Sequence, residues 1–195
     1  MLQSHIDIEN GRIEMLYPTP IYCTFVQNLE AIQNEIASQI DNVNFDGTPY
    51  AWGKTVDVTD LQGNVISSLK EFEQELHRHL ENYCNFLRFD MREYSIKSWF
   101  TKSDNGNYTQ VHTHHYDDIV GVYYFQTNGN DGDLFFVPPL QLETSYCYQS
   151  GAEWWRHAPR KGKLLLFPGW LQHGVKTNET DSTRISLAFS INFKR

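Results

Sequence analysis

Histidines and aspartates are concentrated in residues 110–118, QVHTHHYDD, which hold three histidines and two aspartates. Alternate residues of a β-strand face the same side, so His112 and His114 would point in one direction if this segment is extended. Two imidazoles in that arrangement form a clamp for a metal ion, because neutral imidazole is a common metal ligand in proteins. The pattern therefore predicts that His112 and His114 bind a metal.

A carboxylate could complete this site in two ways. Asp118, four residues after His114, could return a carboxylate from the start of the next strand. His115 with Asp117 is a competing pair of the opposite parity, and one strand cannot present both pairs inward unless it bends between them. An exposed loop that is simply rich in histidine is the alternative in which no metal binds. We include Asp118 in the predicted ligand set and leave the competing pair open.

A further candidate ligand follows another predicted strand. Residues 162–178, GKLLLFPGWLQHGVKTN, form an apolar run that ends at Pro168-Gly169 and soon reaches His173. A single histidine after a turn is usually an ordinary surface or core residue. A His-x-His pair on one strand with a later histidine on another, however, is how a β-barrel assembles a metal site from separate strands. This arrangement predicts His173 as a metal ligand.

Arg184 and Ser186 share one face of a predicted strand that is otherwise rich in Leu, Ala, Phe and Ile. If that face lies in the interior, the guanidinium needs a partner, because an unpaired buried charge is costly. A planar guanidinium with a neighbouring hydroxyl suits a carboxylate. A structural salt bridge between Arg184 and an Asp or Glu is the alternative explanation.

Short runs of β-branched and aromatic residues dominate the chain from Tyr94 onward, and Gly/Asn/Asp turns separate several of them. These runs are YSIKSWFT, YTQVH, IVGVYYF, DLFFV, KLLLF, HGVKT and RISLAFSINF. Many short strands with turns between them are typical of an all-β sandwich or barrel. Residues 94–195 are therefore predicted to form the β core that carries the metal site.

Two helices are predicted in the preceding support region, residues 1–93. Apolar residues recur at helical spacing near 28–41 and again near 67–88. Such amphipathic helices would cover one face of a sheet. Because there is no internal repeat and no Gly/Ser linker, residues 1–195 are predicted to be one domain that is mainly β with flanking helices.

The segment 138–161 is a long, irregular interruption of the strand pattern and is rich in aromatic residues. Loops of this length inside compact domains are more often functional than idle. Trp154, Trp155 and Arg156 are therefore the predicted substrate-facing lid. Ordinary packing of both tryptophans at the barrel edge is the alternative.

Composition excludes several classes of function. With Lys+Arg 16 against Asp+Glu 24, the net charge of −8 argues against general nucleic-acid binding, which needs a basic surface. No window holds the run of about 18 apolar residues that a membrane span requires, and no signal peptide is visible. Three scattered cysteines predict a reducing, cytoplasmic location. An exposed barrel edge near residues 13–26 would allow a homodimer.

Five segments together resemble the 2-oxoglutarate/Fe(II) oxygenase superfamily, and within it a small bacterial and phage-encoded family of oxygenases. These segments are LYPTPIY, SWFTK, HTHHYDDIVGVYYF, LLLFPGWLQHGV and TRISLAF. The resemblance implies a double-stranded β-helix, which is a jelly-roll barrel buttressed by helices. It also implies Fe(II) as the metal, 2-oxoglutarate and O₂ as co-substrates, and hydroxylation of an unidentified small molecule or side chain.

The resemblance also implies roles for individual residues. His112 corresponds to the first iron ligand of the family and His173 to the distal one. Arg184 with Ser186 corresponds to the pair that anchors the far carboxylate of 2-oxoglutarate, and Tyr124 lies where related enzymes often place a tyrosine near that carboxylate. No catalytic residue beyond the metal ligands is implied.

The sequence departs from the family pattern at one ligand position. The usual second ligand is a carboxylate two residues after the first histidine, and that position here is His114. Either three histidines bind the metal, or Asp118 or Asp117 supplies the carboxylate.

The same region also resembles the cupin pattern, which shares the barrel. The matching residues are Gly106, His112, His114, Asp118, Gly162, Pro168, Gly169 and His173. The alternatives are thus a cupin-type metal-dependent dioxygenase or isomerase that does not use 2-oxoglutarate, and a non-catalytic barrel binding module. Fold alone does not choose between these chemistries. Arg184 and Ser186, at their offset from His173, favour the 2-oxoglutarate-dependent oxygenase.

Overall fold

The computed structural model of the chain describes residues 5–9, 11–14, 19–47, 57–60, 63–138 and 155–195. The helices in these ranges are α1 (Leu29–Ile40), α2 (Lys70–Leu87) and a short 3₁₀ helix (Val65–Ser68). The strands are β1 (His5–Ile8), β2 (Gly11–Glu14), β3 (Tyr22–Phe25), β4 (Asp46–Gly47), β5 (Asp57–Val58), β6 (Tyr94–Ser103), β7 (Thr109–His112), β8 (Ile119–Gln126), β9 (Leu134–Phe136), β10 (Arg156–His157), β11 (Lys163–Pro168), β12 (His173–Val175) and β13 (Arg184–Phe193).

Most of the strands form two sheets that pack face to face. The larger sheet has the order β3-β11-β8-β13-β6-β5-β4, and the smaller has the order β10-β9-β12-β7. From β6 onward the chain passes back and forth between the two sheets, and the pairings are antiparallel. This is the strand arrangement of a jelly roll. The predicted fold class, a mainly β double-stranded β-helix with flanking helices, is confirmed.

Helices α1 and α2 pack on the outer face of the larger sheet. In α2, Phe72, Leu76, Leu80 and Tyr83 recur at helical spacing and are all buried. The sheet residues of the same cluster are Phe100, Ile119, Tyr123, Phe125, Leu164, Leu166, Leu187, Phe189 and Ile191. Burying each large apolar side chain contributes about 1.5–3 kcal/mol, so packing rather than helix propensity holds α2 in place.

Both predicted helices are present, with small differences at their ends. The range 67–88 begins too early, because Val65–Ser68 forms a 3₁₀ helix and α2 starts at Lys70. Arg88 adopts the left-handed conformation, with φ 56°, and ends α2. No helix in the described ranges is long and apolar enough to span a bilayer.

The inner face of the larger sheet points toward the smaller sheet, as strand alternation requires. Along β11, Leu164 and Leu166 face the helices, whereas Leu165 and Phe167 pack between the sheets. The other buried apolar residues between the sheets are Val120, Tyr124, Leu134, Phe136 and Leu171. By the same alternation, the inner face of β13 carries polar side chains, which therefore lie between the sheets.

The predicted irregular segment 138–161 is only partly described. Its residues 139–154, including Trp154, lie outside the described residues. The prediction of an irregular segment is wrong for Arg156 and His157, which form β10 and pair with Phe135 and Leu134 of β9. The strand is only two residues long, which is too short for a periodic signal in the sequence.

Candidate metal centre

Three histidines converge between the two sheets. His112 ends β7 and His173 begins β12, and the two are directly paired across these antiparallel strands. His114 lies two residues beyond the end of β7, and its Nε2 is 3.2 Å from Nε2 of His112. One ligand atom from each of the three side chains lies within 4.8 Å of the others. The structure thus brings together three of the four residues predicted as ligands.

Backbone hydrogen bonds fix the tautomers of His112 and His173. Nδ1 of His112 is 2.8 Å from the carbonyl oxygen of Gln110, and Nδ1 of His173 is 2.8 Å from that of Leu171. A carbonyl oxygen only accepts, so both Nδ1 atoms carry the proton and both Nε2 atoms carry a lone pair. These lone pairs are free to bind a cation placed between the rings. The donor set therefore fits a divalent metal ion.

Burial also keeps the three imidazoles neutral, which is the form that binds metal. Removal from water lowers the pKa of His173 to about 3 and the pKa of His114 to about 4. The same cause lowers the pKa of His112. The mutual repulsion of the imidazolium forms adds to the effect at His173 and His114, whereas Asp117 opposes it at His114. At neutral pH the cluster is uncharged.

The metal-free protein is expected to lose stability as the pH falls from about 6.5 toward 3, since the usual pKa of 6.5 drops to about 3 at His173 on folding. In that window the unfolded chain binds more protons than the folded one, so the free energy of unfolding decreases with falling pH. Urea unfolding at pH 7.5 and pH 5 would measure the change. His173→Gln removes one of the titrating groups and should flatten the dependence; an unchanged pH profile would contradict the assignment.

A tight turn contact locks the two ligand-bearing segments together. The His114 N–H donates to the carbonyl oxygen of Gly169 (2.8 Å), and the Gly169 N–H donates to that of Asp118 (3.3 Å). A Cβ atom at Gly169 would lie 2.1 Å from the carbonyl oxygen of Asp117 and 2.8 Å from that of His114. Only glycine allows the backbones to approach this closely. The Pro168-Gly169 turn therefore sets the position of His114 relative to His173.

Gly169→Ala is expected to weaken metal binding as well as stability, because the added methyl group forces the two segments apart. Overpacking of this kind costs about 1–3 kcal/mol. Gly63→Ala is the matched control, since its Cβ would meet nothing closer than the Asp60 carbonyl oxygen at 3.3 Å. Cobalt titration and thermal unfolding of both variants would test this. Equal metal affinity in the two variants would show that the turn does not position the ligands.

The carboxylates near the cluster are not in ligand positions. Asp118 Oδ2 accepts a hydrogen bond from the Phe193 N–H (2.9 Å), which places it outside the cluster. Because the chain turns between His114 and Asp118, the side chain of Asp118 faces the end of β13, and its inclusion among the ligands is corrected. Asp117 Oδ2 is 3.5 Å from His114 Nδ1, the ring nitrogen turned away from His112. His115 is exposed.

Arg184 lies buried at the start of β13, with only 4% of its side chain exposed. Its Nη1 donates to the carbonyl oxygens of Asp131 and Gly132. The same Nη1 is 3.9 Å from the carboxylate oxygen Oδ1 of Asp131. Asp131 is completely buried and also accepts hydrogen bonds from the Thr127 hydroxyl and the Asn128 N–H. The structural salt bridge considered from the sequence is therefore present.

Arg184 also lines a cavity between the sheets, together with the three histidines. This cavity holds about 80 Å³. Its wall is formed by Trp99, Thr101, Thr109, His112, His114, Val120, Gly121, Val122, Tyr124, Leu134, Phe167, His173, Val175, Arg184, Ser186 and Ala188. An apolar cavity with a metal-binding cluster and one guanidinium suits a ligand that chelates a metal through one group and carries an anionic group elsewhere.

The other predicted co-substrate residues lie in the same wall. Tyr124 on β8 and Ser186 on β13 are paired across the strands, and both are buried. Burial raises the pKa of the Tyr124 hydroxyl, so it remains a hydrogen-bond donor at neutral pH. Ser186 Oγ is 2.6 Å from Oγ1 of Thr101 on the neighbouring strand.

Three residues of the site were not found from the sequence. Thr101 contacts Ser186, Asp131 pairs with Arg184, and the Trp99 ring stacks on His114 with a centroid separation of 6.3 Å. Strand alternation places Trp99 and Thr101 on a common face, but no sequence pattern indicates the pairing of β6 with β13. Asp131 lies in a turn that carries no periodic signal.

Two of the three predicted lid residues, Trp155 and Arg156, are among the described residues, and both lie outside this cavity. Trp155 is half-buried and Arg156 is exposed on β10, the edge strand of the smaller sheet. Neither side chain is part of the cavity wall.

The fold and the histidine cluster define a class of protein: a double-stranded β-helix with a candidate metal centre between its sheets. Residues 97–190, about half of the chain, match the family described as "Putative 2OG-Fe(II) oxygenase". This match agrees with the family resemblance of the sequence. No curated protein sequence matches the chain.

Solved structures share the fold at low sequence identity. A prolyl-4-hydroxylase from Pseudomonas putida superposes with a TM-score of 0.65 at 10% identity, over 91% of this chain and 94% of that one. HygX from Streptomyces hygroscopicus, with nickel and 2-oxoglutarate bound, gives a TM-score of 0.62 at 11% identity, over 90% and 84%. A prolyl hydroxylase from Trichoplax adhaerens gives 0.62 at 13%, over 88% and 82%.

Proposed function

We propose that this protein is an Fe(II)- and 2-oxoglutarate-dependent oxygenase, and most simply a hydroxylase, that acts on a small molecule or a side chain. The observation that carries the proposal is one cavity wall containing both a neutral three-histidine cluster and a buried arginine. A metal ligand set and an anion anchor in one apolar cavity are what a chelating 2-oxo dicarboxylate requires. The family match over residues 97–190 supports the same activity.

Different residues of the cavity would bind the metal and the co-substrate. His112, His114 and His173 would hold Fe(II), which supplies the redox chemistry that couples 2-oxoglutarate decarboxylation to substrate oxidation. Arg184 would neutralise the distal carboxylate of 2-oxoglutarate in a site shielded from water, where a charge-assisted hydrogen bond is strong. The Tyr124 hydroxyl would donate to the same carboxylate, because burial keeps it protonated.

The decisive experiment is anaerobic addition of Fe(II) and 2-oxoglutarate to the purified protein. We expect a weak visible charge-transfer band from the chelated keto acid, followed by release of succinate when O₂ and a suitable substrate are added. Screening a panel of candidate acceptors for succinate release would identify the substrate class. Binding of iron without any binding of 2-oxoglutarate would instead favour a cupin-type enzyme, and absence of metal binding would favour a binding module.

The proposal includes a reducing, cytoplasmic location. Within the described residues, Cys23 and Cys84 are both free thiols, which supports such a compartment. Fe(II) is also kept reduced more easily there.

A further inference from the structure

A carboxylate lies directly behind one of the three histidines. Asp117 Oδ2 is 3.5 Å from His114 Nδ1, while His114 Nε2 faces Nε2 of His112 at 3.2 Å. The imidazole of His114 is therefore placed between a carboxylate on one side and the metal-binding point on the other. A metal-binding histidine typically donates its second ring N–H to such a group, which fixes the orientation and raises the basicity of the ligand.

Asp117 is itself held in position. Its Oδ1 accepts a hydrogen bond from Nδ2 of Asn192 (2.7 Å), and its backbone N–H donates to the carbonyl oxygen of His114 (2.9 Å). Only 18% of its side chain is exposed. A carboxylate that is fixed by a tight turn and by a neighbouring strand is preorganised for one partner, and that partner here is His114.

The contact between Asp117 and His114 also affects the net charge around the metal site. Three neutral imidazoles contribute no negative charge to a bound divalent ion. In a partly buried site an uncompensated divalent charge is costly. Asp117 is the carboxylate that faces the ligand set, since Asp118 instead binds the backbone of Phe193.

We propose that Asp117 is a positioning residue of the metal centre: it orients His114 through Nδ1 and supplies, from behind this ligand, the negative charge that the three imidazoles lack. This inference rests on the proposed function, because it concerns the same metal centre. Ser190 is the competing explanation, since its Oγ lies 3.4 Å from His114 Nδ1.

The test uses Co(II) alone as the probe, with the full chain and no 2-oxoglutarate. Titration followed by the visible d–d absorption of Co(II) reports affinity and ligand geometry together. The variants are Asp117→Asn, which removes the charge while keeping the size, and Asp118→Asn, a matched control with the same change of charge one residue away. Ser190→Ala tests the competing contact. Thermal unfolding of each metal-free variant shows whether it is folded.

We expect Asp117→Asn to weaken Co(II) binding about 10- to 100-fold, the usual range for loss of a group behind a metal ligand. Its d–d spectrum should also change, because the His114 ring is no longer fixed. Asp118→Asn and Ser190→Ala should leave both affinity and spectrum close to those of the unchanged protein. If Asp117→Asn is poorly folded, Asn192→Ala, which leaves the pair intact but removes its support, should show a smaller change in the same direction.

A second pair of variants separates positioning from general electrostatics. His114→Asp replaces the imidazole ligand with a carboxylate and leaves no imidazole for Asp117 to orient. Adding Asp117→Asn to this variant should then cost clearly less Co(II) affinity than the same change costs in the unchanged protein, because only the charge of Asp117 is still lost. If Asp117→Asn costs the same affinity in the unchanged protein and in the His114→Asp variant, the proposal is overturned. An Asp118→Asn or Ser190→Ala effect as large as that of Asp117→Asn would overturn it as well.

Co(II) binding distinguishes a failure of the proposed function from a failure of the role of Asp117. If the unchanged protein does not bind Co(II), the proposed function and this inference both fall. If it binds Co(II) and Asp117→Asn binds equally well with the same spectrum, only the role of Asp117 is overturned.

Discussion

Replacing Arg184 with alanine is expected to weaken 2-oxoglutarate binding by about 2–5 kcal/mol, roughly 30- to 5,000-fold in Kd, while leaving metal affinity intact. Arg184 is the charged side chain of the cavity wall and is 4% exposed, so solvent cannot take over its role. Metal affinity should survive because the three histidines lie outside β13. Calorimetric titration of 2-oxoglutarate into the Co(II)-loaded protein without O₂ would measure the loss.

The salt bridge with Asp131 complicates this variant in a predictable way. Removing Arg184 leaves a completely buried carboxylate without its counter-ion, and breaking a buried pair costs about 3–5 kcal/mol of stability. The hydrogen bonds from Thr127 and Asn128 to Asp131 remain and reduce that cost. The double variant Arg184→Met/Asp131→Asn removes both charges and keeps the test meaningful if the single variant unfolds. Tight 2-oxoglutarate binding by this folded double variant would refute the anchoring role.

Replacing His173 with alanine should abolish metal binding at ordinary concentrations. His173 is buried and supplies one of three ligands, so its loss should exceed the 10- to 100-fold effect that is typical of residues behind the ligands. The remaining two imidazoles cannot enclose the ion, and no carboxylate of the described residues is placed to substitute. Co(II) titration and metal-dependent thermal stabilisation would both report the change.

His115→Ala is the matched control for this prediction. His115 belongs to the same histidine-rich segment but is exposed and lies outside the cluster. The unchanged protein and this control should gain roughly 3–4 kcal/mol of stability at a metal concentration several hundred times Kd, whereas His173→Ala should gain almost none. Equal stabilisation of all three proteins would mean that the metal binds elsewhere.

The strands and the histidine pairing could be predicted from the sequence because both follow from local patterns of residue type and spacing. Runs of β-branched and aromatic residues identified β6, β8, β11 and β13 within a few residues, and strand alternation placed Arg184 and Ser186 on one face. The prediction that His112 and His114 point together also agrees with their positions. Alternation within a strand is not the cause, because β7 ends at His112. The hydrogen bond from the His114 N–H to Gly169 positions His114 instead.

The remaining parts of the site depend on contacts between distant segments. Asp131 reaches Arg184 across 53 positions of sequence, and Thr101 reaches Ser186 across 85. Asp118 was expected to be a ligand because it begins the next strand, but the chain reverses between His114 and β8. Turn geometry decides which of two adjacent aspartates faces the histidine, and a one-residue difference cannot be read from composition or periodicity.

The spacing of side chains along strand β13 affects which co-substrates can bind in the cavity. One of its ends carries Arg184, and six residues later Ser190 lies against His114, a rise of about 20 Å along the backbone at ~3.3 Å per residue. The Arg184 guanidinium and the three imidazoles line the same cavity. Their side chains span part of the distance along the strand, and a bound ligand has to span only the rest. Hydrogen-bonded neighbours on both sides, β6 and β8, prevent the strand from slipping. Strand β13 therefore helps to fix the distance between Arg184 and the metal-binding point. A 2-oxo dicarboxylate of a different carbon-chain length is therefore expected to bind more weakly than 2-oxoglutarate, because the backbone of a single strand holds both groups.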